Sequence, residues 1–142
     1  AAKSPADCFD TVYEACRIAL EHMIPVMFLS DGYIANGSEP WQVPKVDDLP
    51  DFDVSFADES NLADGQFLSY SRDKKTLARP WAIPGTPGLE HRIGGIETED
   101  LTGNVSYDPD NHHYMVETRA KKIDAITNEF ASCSAVRNDT VG

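Results

Sequence analysis

The residues best suited to hold a ligand stand together in one stretch. His91-Arg92 is followed by Gly94-Gly95, a donor pair beside glycines whose missing side chains let the backbone approach a bound molecule closely. Arg79, between Ala78 and Pro80, is a second cationic candidate. Local pairing is the alternative: either arginine set against Glu90 or Asp100 would form a surface ion pair that braces a loop and contributes little energy. Bracing is the better reading for Arg79. Both readings stand for His91-Arg92, because polar residues on loops serve recognition more often than those within elements. Glu39 has the chemistry of a general acid or base, but a glutamate after Gly-Ser is more often solvated. His112-His113 with Glu117 has metal-ligand residue types, yet adjacent histidines point to different faces of a helix. Trp41 and Trp81, each beside a proline, are expected to pack a long connection onto its scaffold.

Charge and cysteine usage exclude several classes. The 142 residues carry 24 acidic against 12 basic side chains, a net charge of −12, which repels a phosphate backbone and makes nucleic acid an unsuitable partner. Cys8, Cys16 and Cys133 form no Cys-x-x-Cys pair, so neither a disulfide framework nor an iron–sulfur or zinc site is written here, and buried or inert thiols are expected. Asn-x-Ser/Thr triplets at Asn36, Asn104 and Asn138 carry no weight without a secretory signal. No run of eighteen apolar residues and no signal-peptide pattern is present, so a cytoplasmic, non-membrane protein is the expectation.

The elements that must position these residues follow from spacing. Ser4-Pro5-Ala6-Asp7 supplies a capping hydroxyl, a first-turn proline and a carboxylate. Phe9, Val12, Tyr13, Cys16, Ala19, Leu20 and Met23 then recur at helical spacing until Pro25, which predicts an amphipathic helix of about five turns. Pro25 to Leu29 is a continuous apolar run, expected to be a strand buried on both faces in a parallel sheet. Asp31-Gly32-Tyr33 beyond it stands either at a ligand-binding edge of that sheet or in a simple turn. From Ala35 to about Gly103 periodicity is lost, and residues 47–64 hold seven acidic side chains and no basic one. A connection of this length is expected to drape over another part of a larger protein. Asp108-Pro109 opens a second helix, with Val116, Ala120, Ile123, Thr127 and Phe130 as its apolar face, and Ser134 to Gly142 reads as a frayed tail. One strand with two unpaired edges makes a poor sheet alone, so an excised piece of a longer chain is expected.

Longer blocks carry a resemblance. Ser4-Pro5-x-Asp7, Leu29-Ser30-Asp31-Gly32-Tyr33-Ile34-Ala35-Asn36-Gly37-Ser38-Glu39-Pro40-Trp41, Arg72-Asp73, Thr76-Leu77-Ala78-Arg79-Pro80-Trp81-Ala82-Ile83-Pro84-Gly85, Gly88-Leu89-Glu90-His91-Arg92-Ile93-Gly94-Gly95 and Gly103-Asn104-Val105-Ser106-Tyr107-Asp108-Pro109 stand in this order. They resemble the α subunit of 2-oxoacid:ferredoxin oxidoreductases, especially the 2-oxoglutarate type, and cover most of residues 4–123 outside the acidic stretch. In that family the α subunit is several times longer.

The resemblance implies an α/β fold. Residues 1–44 would be the end of a thiamine-diphosphate-binding pyrimidine-type domain, 45–107 a long irregular connection, and 108–142 a helix and tail leading toward a transketolase-C-like domain. It also implies oxidative decarboxylation of a 2-oxoacid to an acyl-coenzyme A, with electrons passed singly to iron–sulfur centres and ferredoxin. Thiamine diphosphate would do the hard chemistry, and Mg²⁺ and the iron–sulfur cluster would be held mostly by a β subunit or other parts of the enzyme. A 2-oxoglutarate site must hold a second carboxylate, for which His91, Arg92 and Arg79 are the substrate-binding candidates. Such a stretch alone is expected to be inactive. A non-catalytic assembly module, or the same chemistry on pyruvate or branched-chain 2-oxoacids, are the alternatives.

Overall fold

The computed structural model describes residues 1–130; Cys133 and the expected tail lie outside the described residues. Helix α1 spans Asp7–His22. Its start is built by the anticipated hydroxyl, since the Asp7 backbone N–H donates to Ser4 Oγ at 3.3 Å, although the helix proper begins only after a turn through Pro5 and Ala6. It ends at Met23, which adopts the left-handed conformation at φ 48° and returns its N–H to the Ala19 carbonyl, two residues before Pro25.

Parts of the long connection pack on α1. Phe9 meets Trp41 with ring centroids 5.4 Å apart, and Tyr13 meets Phe52 at 4.8 Å. The Tyr13 hydroxyl donates to the Pro50 carbonyl at 2.6 Å, and the Trp81 indole donates to the Leu20 carbonyl at 2.7 Å. Both tryptophans thus fasten the connection, their large apolar surfaces covering one side of the helix and the indole N–H finding a backbone acceptor. The other side of the expected apolar face stays open: Val12, Cys16 and Leu20 are exposed. Of the buried or inert thiols expected, Cys16 is exposed and Cys8 half-buried, which leaves the inert alternative.

Residues 25–29 lie in no ladder among the described residues. A strand exists only beside a neighbour, and among the described residues the one backbone bond onto this run is from Ala2 N–H to the Leu29 carbonyl at 3.2 Å. Pro25, Met27 and Leu29 are exposed while Val26 and Phe28 are half-buried, the alternation of a strand with one face open rather than burial on both. Asp31 then caps a five-residue helix, α2 (Gly32–Asn36), by accepting the Ile34 N–H at 2.8 Å, and Tyr33 projects into solvent.

The chain is α/β, with its strands inside the connection. β1 (Leu62–Ala63) pairs antiparallel with β2 (Gln66–Phe67) around Asp64-Gly65, both at positive φ, 51° and 77°, the backbone that a two-residue hairpin turn requires. Short helical turns at Val46–Asp48 and Glu59–Asn61 precede it, and a single parallel bridge joins Phe56 to Trp81. Ala57, Phe67 and Leu89 form a small core with Leu62 and Ala82 packed on it.

Helix α3 spans Pro109–Thr127, with the Asp108 side chain accepting the Asp110 N–H and proline in the first turn, as the sequence predicts. Its rotation differs from expectation. Val116 and Ile123, on the predicted inner face, are 45% and 51% exposed, whereas Met115 is 1% exposed and Thr118 and Ile126 are buried. Polar docking sets the angle: Asn111 accepts from Asp100 N–H at 3.0 Å and donates to the Thr98 carbonyl at 2.9 Å, and Arg119 grips Glu97 through both terminal nitrogens at 3.2 Å. These contacts to residues 97–100 turn Met115 and Thr118 inward and leave the Val116–Ile123 stripe to solvent.

Candidate functional site

Arg79 lines three cavities, one of them shared with Arg72 and the acids Glu21, Asp53, Asp58, Asp73 and Glu129, and the other two carrying the ligand candidates. The first of these two, about 710 Å³, is walled by Phe67, Trp81, Pro84, Leu89, His91 and Arg79. The His91 ring stands edge-on to Phe67, centroids 5.0 Å apart, and its Nδ1 lies 2.8 Å from the Leu89 carbonyl. A carbonyl can only accept, so Nδ1 carries the proton, and a neutral imidazole presents Nε2 as an acceptor. Contact with a carboxylate at Nε2 therefore calls for the imidazolium.

His91 and Arg79 are brought together on this cavity; Arg92 is not. Arg92 is exposed and does not line the cavity, and among the described residues it forms no ion pair with Glu90 or Asp100. The expected brace is absent because Asp100 is taken by Arg72, whose Nη1 is ion-paired with it and also donates to the Tyr70 carbonyl at 3.2 Å. Gly95, expected to admit a ligand, instead admits Val105: a Cβ there would stand 2.8 Å from the valine Cγ2, and φ is 87°. Gly94 faces open space.

The second cavity, about 500 Å³, lies between α3 and the segments around Tyr70 and Glu97. The Arg79 guanidinium sits 4.1 Å from the Tyr70 ring centroid and donates to the Ser69 carbonyl at 3.0 Å, while Arg72 lies 5.5 Å from the same ring. Both geometries are cation–π contacts. Lys122 projects from α3 into this cavity, and burial, followed by the charges of Arg79 and Arg72, pushes its ammonium down to about 8. Burial also acts against the charge on Arg79. Glu97 is held down to about 2, foremost by Arg119, with His112 and the Thr98 N–H adding hydrogen bonds.

The remaining sequence candidates are occupied elsewhere. Glu39 accepts from Ser4 Oγ at 3.2 Å at the surface. His112 pairs with Glu97 and His113 with Glu117 at 3.2 Å, so the two histidines go to different acids. Among the described residues no three His, Cys, Asp or Glu side chains are grouped to hold a metal, and no helix is long and apolar enough to cross a membrane.

Sequence reasoning missed four members of the cationic cavity: Tyr70, Arg72, Arg119 and Lys122. Lys122 was legible in principle, because it follows Met115 and Thr118 at helical spacing and so shares their face. His22 was also missed. It is 3% exposed, with Nε2 3.0 Å from a Glu129 oxygen and Nδ1 without a partner among the described residues.

Residues 1–108 match the family model for pyruvate flavodoxin/ferredoxin oxidoreductase, thiamine diphosphate-binding. Over 126 residues, 89% of this chain, the sequence is 55% identical to 2-oxoglutarate oxidoreductase subunit KorA from Mycobacterium tuberculosis, of which the aligned part is 19%. The chain thus spans about a fifth of the length of that curated relative. No solved structure matches it. With the family model covering about three quarters of the residues, the chain belongs to the thiamine diphosphate-binding family of pyruvate flavodoxin/ferredoxin oxidoreductases.

Proposed function

We propose that this chain is part of the α subunit of an enzyme that oxidatively decarboxylates 2-oxoglutarate to its acyl-coenzyme A and passes the electrons to ferredoxin. The observation that carries the reading is the 55% identity to a 2-oxoglutarate oxidoreductase subunit over 89% of the chain. In this reading residues 1–44 end the thiamine-binding domain, 45–107 connect, and α3 leads toward a further domain. The working enzyme is a cytoplasmic heteromer with a β subunit.

Cofactor ligation is divided accordingly. Among the described residues no three His, Cys, Asp or Glu side chains are grouped to hold a metal, and Cys8 and Cys16 lie on one helix without cluster spacing. In this reading Mg²⁺ and an iron–sulfur cluster are held mostly by the β subunit or by other parts of the enzyme. The open stripes on α1 (Val12, Leu20) and α3 (Val116, Ile123) support a role inside a larger assembly, since apolar helix faces are ordinarily covered.

Selection of the distal carboxylate falls to His91, Arg92 and Arg79. His91 and Arg79 support it by sharing one cavity, and Arg92 by standing next to His91 with its guanidinium uncommitted among the described residues. The test is to assay the natural polypeptide, with the subunits that co-purify, for coenzyme A-dependent reduction of ferredoxin by 2-oxoglutarate, pyruvate and a branched-chain 2-oxoacid. Turnover with 2-oxoglutarate as the preferred substrate is expected. Preference for either of the others overturns the substrate assignment, and turnover with none overturns the enzymatic reading.

A further inference from the structure

We propose that Arg79 and Lys122, brought together beside the Tyr70 ring, form a binding site for an oxyanion, the carboxylate or phosphoryl group of a small-molecule ligand entering the 500 Å³ cavity. The wall of this cavity runs against the charge of the whole molecule. In a chain of net charge −12 it carries Arg72, Arg79, Arg119 and Lys122 against Glu97 alone.

The acids beside this cavity are already spent, and those that share a separate cavity with Arg79, namely Glu21, Asp53, Asp58, Asp73 and Glu129, form no ion pair with it among the described residues. Glu97 is gripped by Arg119 and His112, and Asp100 by Arg72. Among the described residues no carboxylate pairs with Arg79 or Lys122: the contacts of Arg79 are the Ser69 carbonyl and the Tyr70 ring, and the acting charges on Lys122 are cations. Half-buried cations without an acid are costly, and a ligand that brings negative charge removes the cost.

Geometry adds selectivity to charge. The Tyr70 ring and the Ser69 carbonyl hold the Arg79 guanidinium, whose other N–H donors can meet a planar or tetrahedral oxyanion. Lys122 contributes a point charge from α3, and the buried Thr98 and Thr118 line the same wall. The site rests on the reading of Arg79 as a ligand-binding residue and asks nothing about which reaction the complex runs.

Lysine acylation reports on it directly. The amine acylates only when unprotonated, and the charged or titratable groups around Lys122 are Arg72, Arg79 and Tyr70 before it in sequence, Glu97 across the cavity, and Arg119 on its own helix, with Asp100 outside the cavity and paired to Arg72. The natural polypeptide, with its co-purifying subunits, is treated near pH 8 with an acetylating N-hydroxysuccinimide ester. Mass spectrometry then follows Lys122 against Lys121, which is exposed and serves as the internal control. The additions are inorganic phosphate in one arm and glutarate in the other.

A bound oxyanion shields Lys122 and keeps it protonated. At an anion concentration ten times the dissociation constant its labelling falls by about tenfold, while Lys121 is unaffected. Protection by phosphate identifies a phosphoryl ligand and protection by glutarate a carboxylate, and either supports the site. Arg79→Gln abolishes the protection, and Arg79→Lys, which keeps the charge, retains part of it. The wild-type arm decides the matter even if a variant misfolds. Unchanged Lys122 labelling in both arms overturns the proposal, as does protection that persists in Arg79→Gln. A Lys122 that resists labelling without anion while Lys121 reacts also overturns it, because the cavity is then closed in the whole protein. None of these failures touches the oxidoreductase reading, which is tested by turnover.

Discussion

The Arg79 guanidinium carbon lies 4.1 Å from the centroid of the Tyr70 ring, with the Arg72 guanidinium 5.5 Å from the same ring. One phenol thereby steadies two like charges that would otherwise repel. Replacing Tyr70 with Leu keeps most of the apolar volume and removes the ring quadrupole, so unfolding free energy should fall by about 1–2 kcal/mol. Urea denaturation of the natural polypeptide checks this, and an unchanged midpoint would show that the stack contributes nothing.

Gly103 lies under that same ring. It sits at φ 75°, and a Cβ there would come within 2.6 Å of both Ser69 Oγ and the Tyr70 Cδ2. Gly103→Ala combines a left-handed backbone with overpacking, and on the order of 1–3 kcal/mol of stability should be lost. The bond from Tyr70 N–H to the Leu101 carbonyl, 2.9 Å, would loosen with it. Faster amide exchange at Tyr70 in the variant is the expected result, and wild-type exchange would contradict it.

How much of this was legible in the sequence depends on the kind of force involved. The caps of α1 and α3 could be read because a hydroxyl or carboxylate beside a proline acts within one turn. The rotation of α3 could not: hydrophobic spacing pointed to Val116 and Ile123, whereas Asn111 and Arg119, meeting residues 97–100, chose the face with Met115. Residues 25–29 have the composition of a buried strand, but a strand needs a neighbouring backbone, which composition cannot supply. The hairpin at Asp64-Gly65 carried the turn signal inside a stretch whose acidity drew attention elsewhere. For the site, His91 and Arg79 were found as isolated donors. The cation cluster with Lys122 was not, since it depends on long-range placement and on Asp100 choosing Arg72. Family membership was legible from the motif blocks alone.

Glu97 ties α3 to the segment before it, and its carboxyl is held at about 2 against an ordinary 4.5. A depressed acid stabilises the fold fully above its unfolded value and loses that contribution as pH falls toward the folded one. Wild type and Glu97→Gln should therefore differ most in unfolding midpoint above pH 4.5 and converge as pH approaches 2. A difference independent of pH across that window would mean that the ion pairs to Arg119 and His112 contribute nothing.

The central claim, that His91, Arg92 and Arg79 serve a second carboxylate, is tested most directly by kcat/KM for 2-oxoglutarate and for pyruvate in the complete complex. Wild type is compared with Arg92→Ala and Arg79→Ala. If a guanidinium meets the distal carboxylate in a desolvated pocket, its loss should cost on the order of 2–5 kcal/mol in transition-state binding of 2-oxoglutarate. Pyruvate, which lacks that group, should lose little. Equal losses for the two substrates, or none for either, in both variants would remove the arginines from the specificity site and contradict the account.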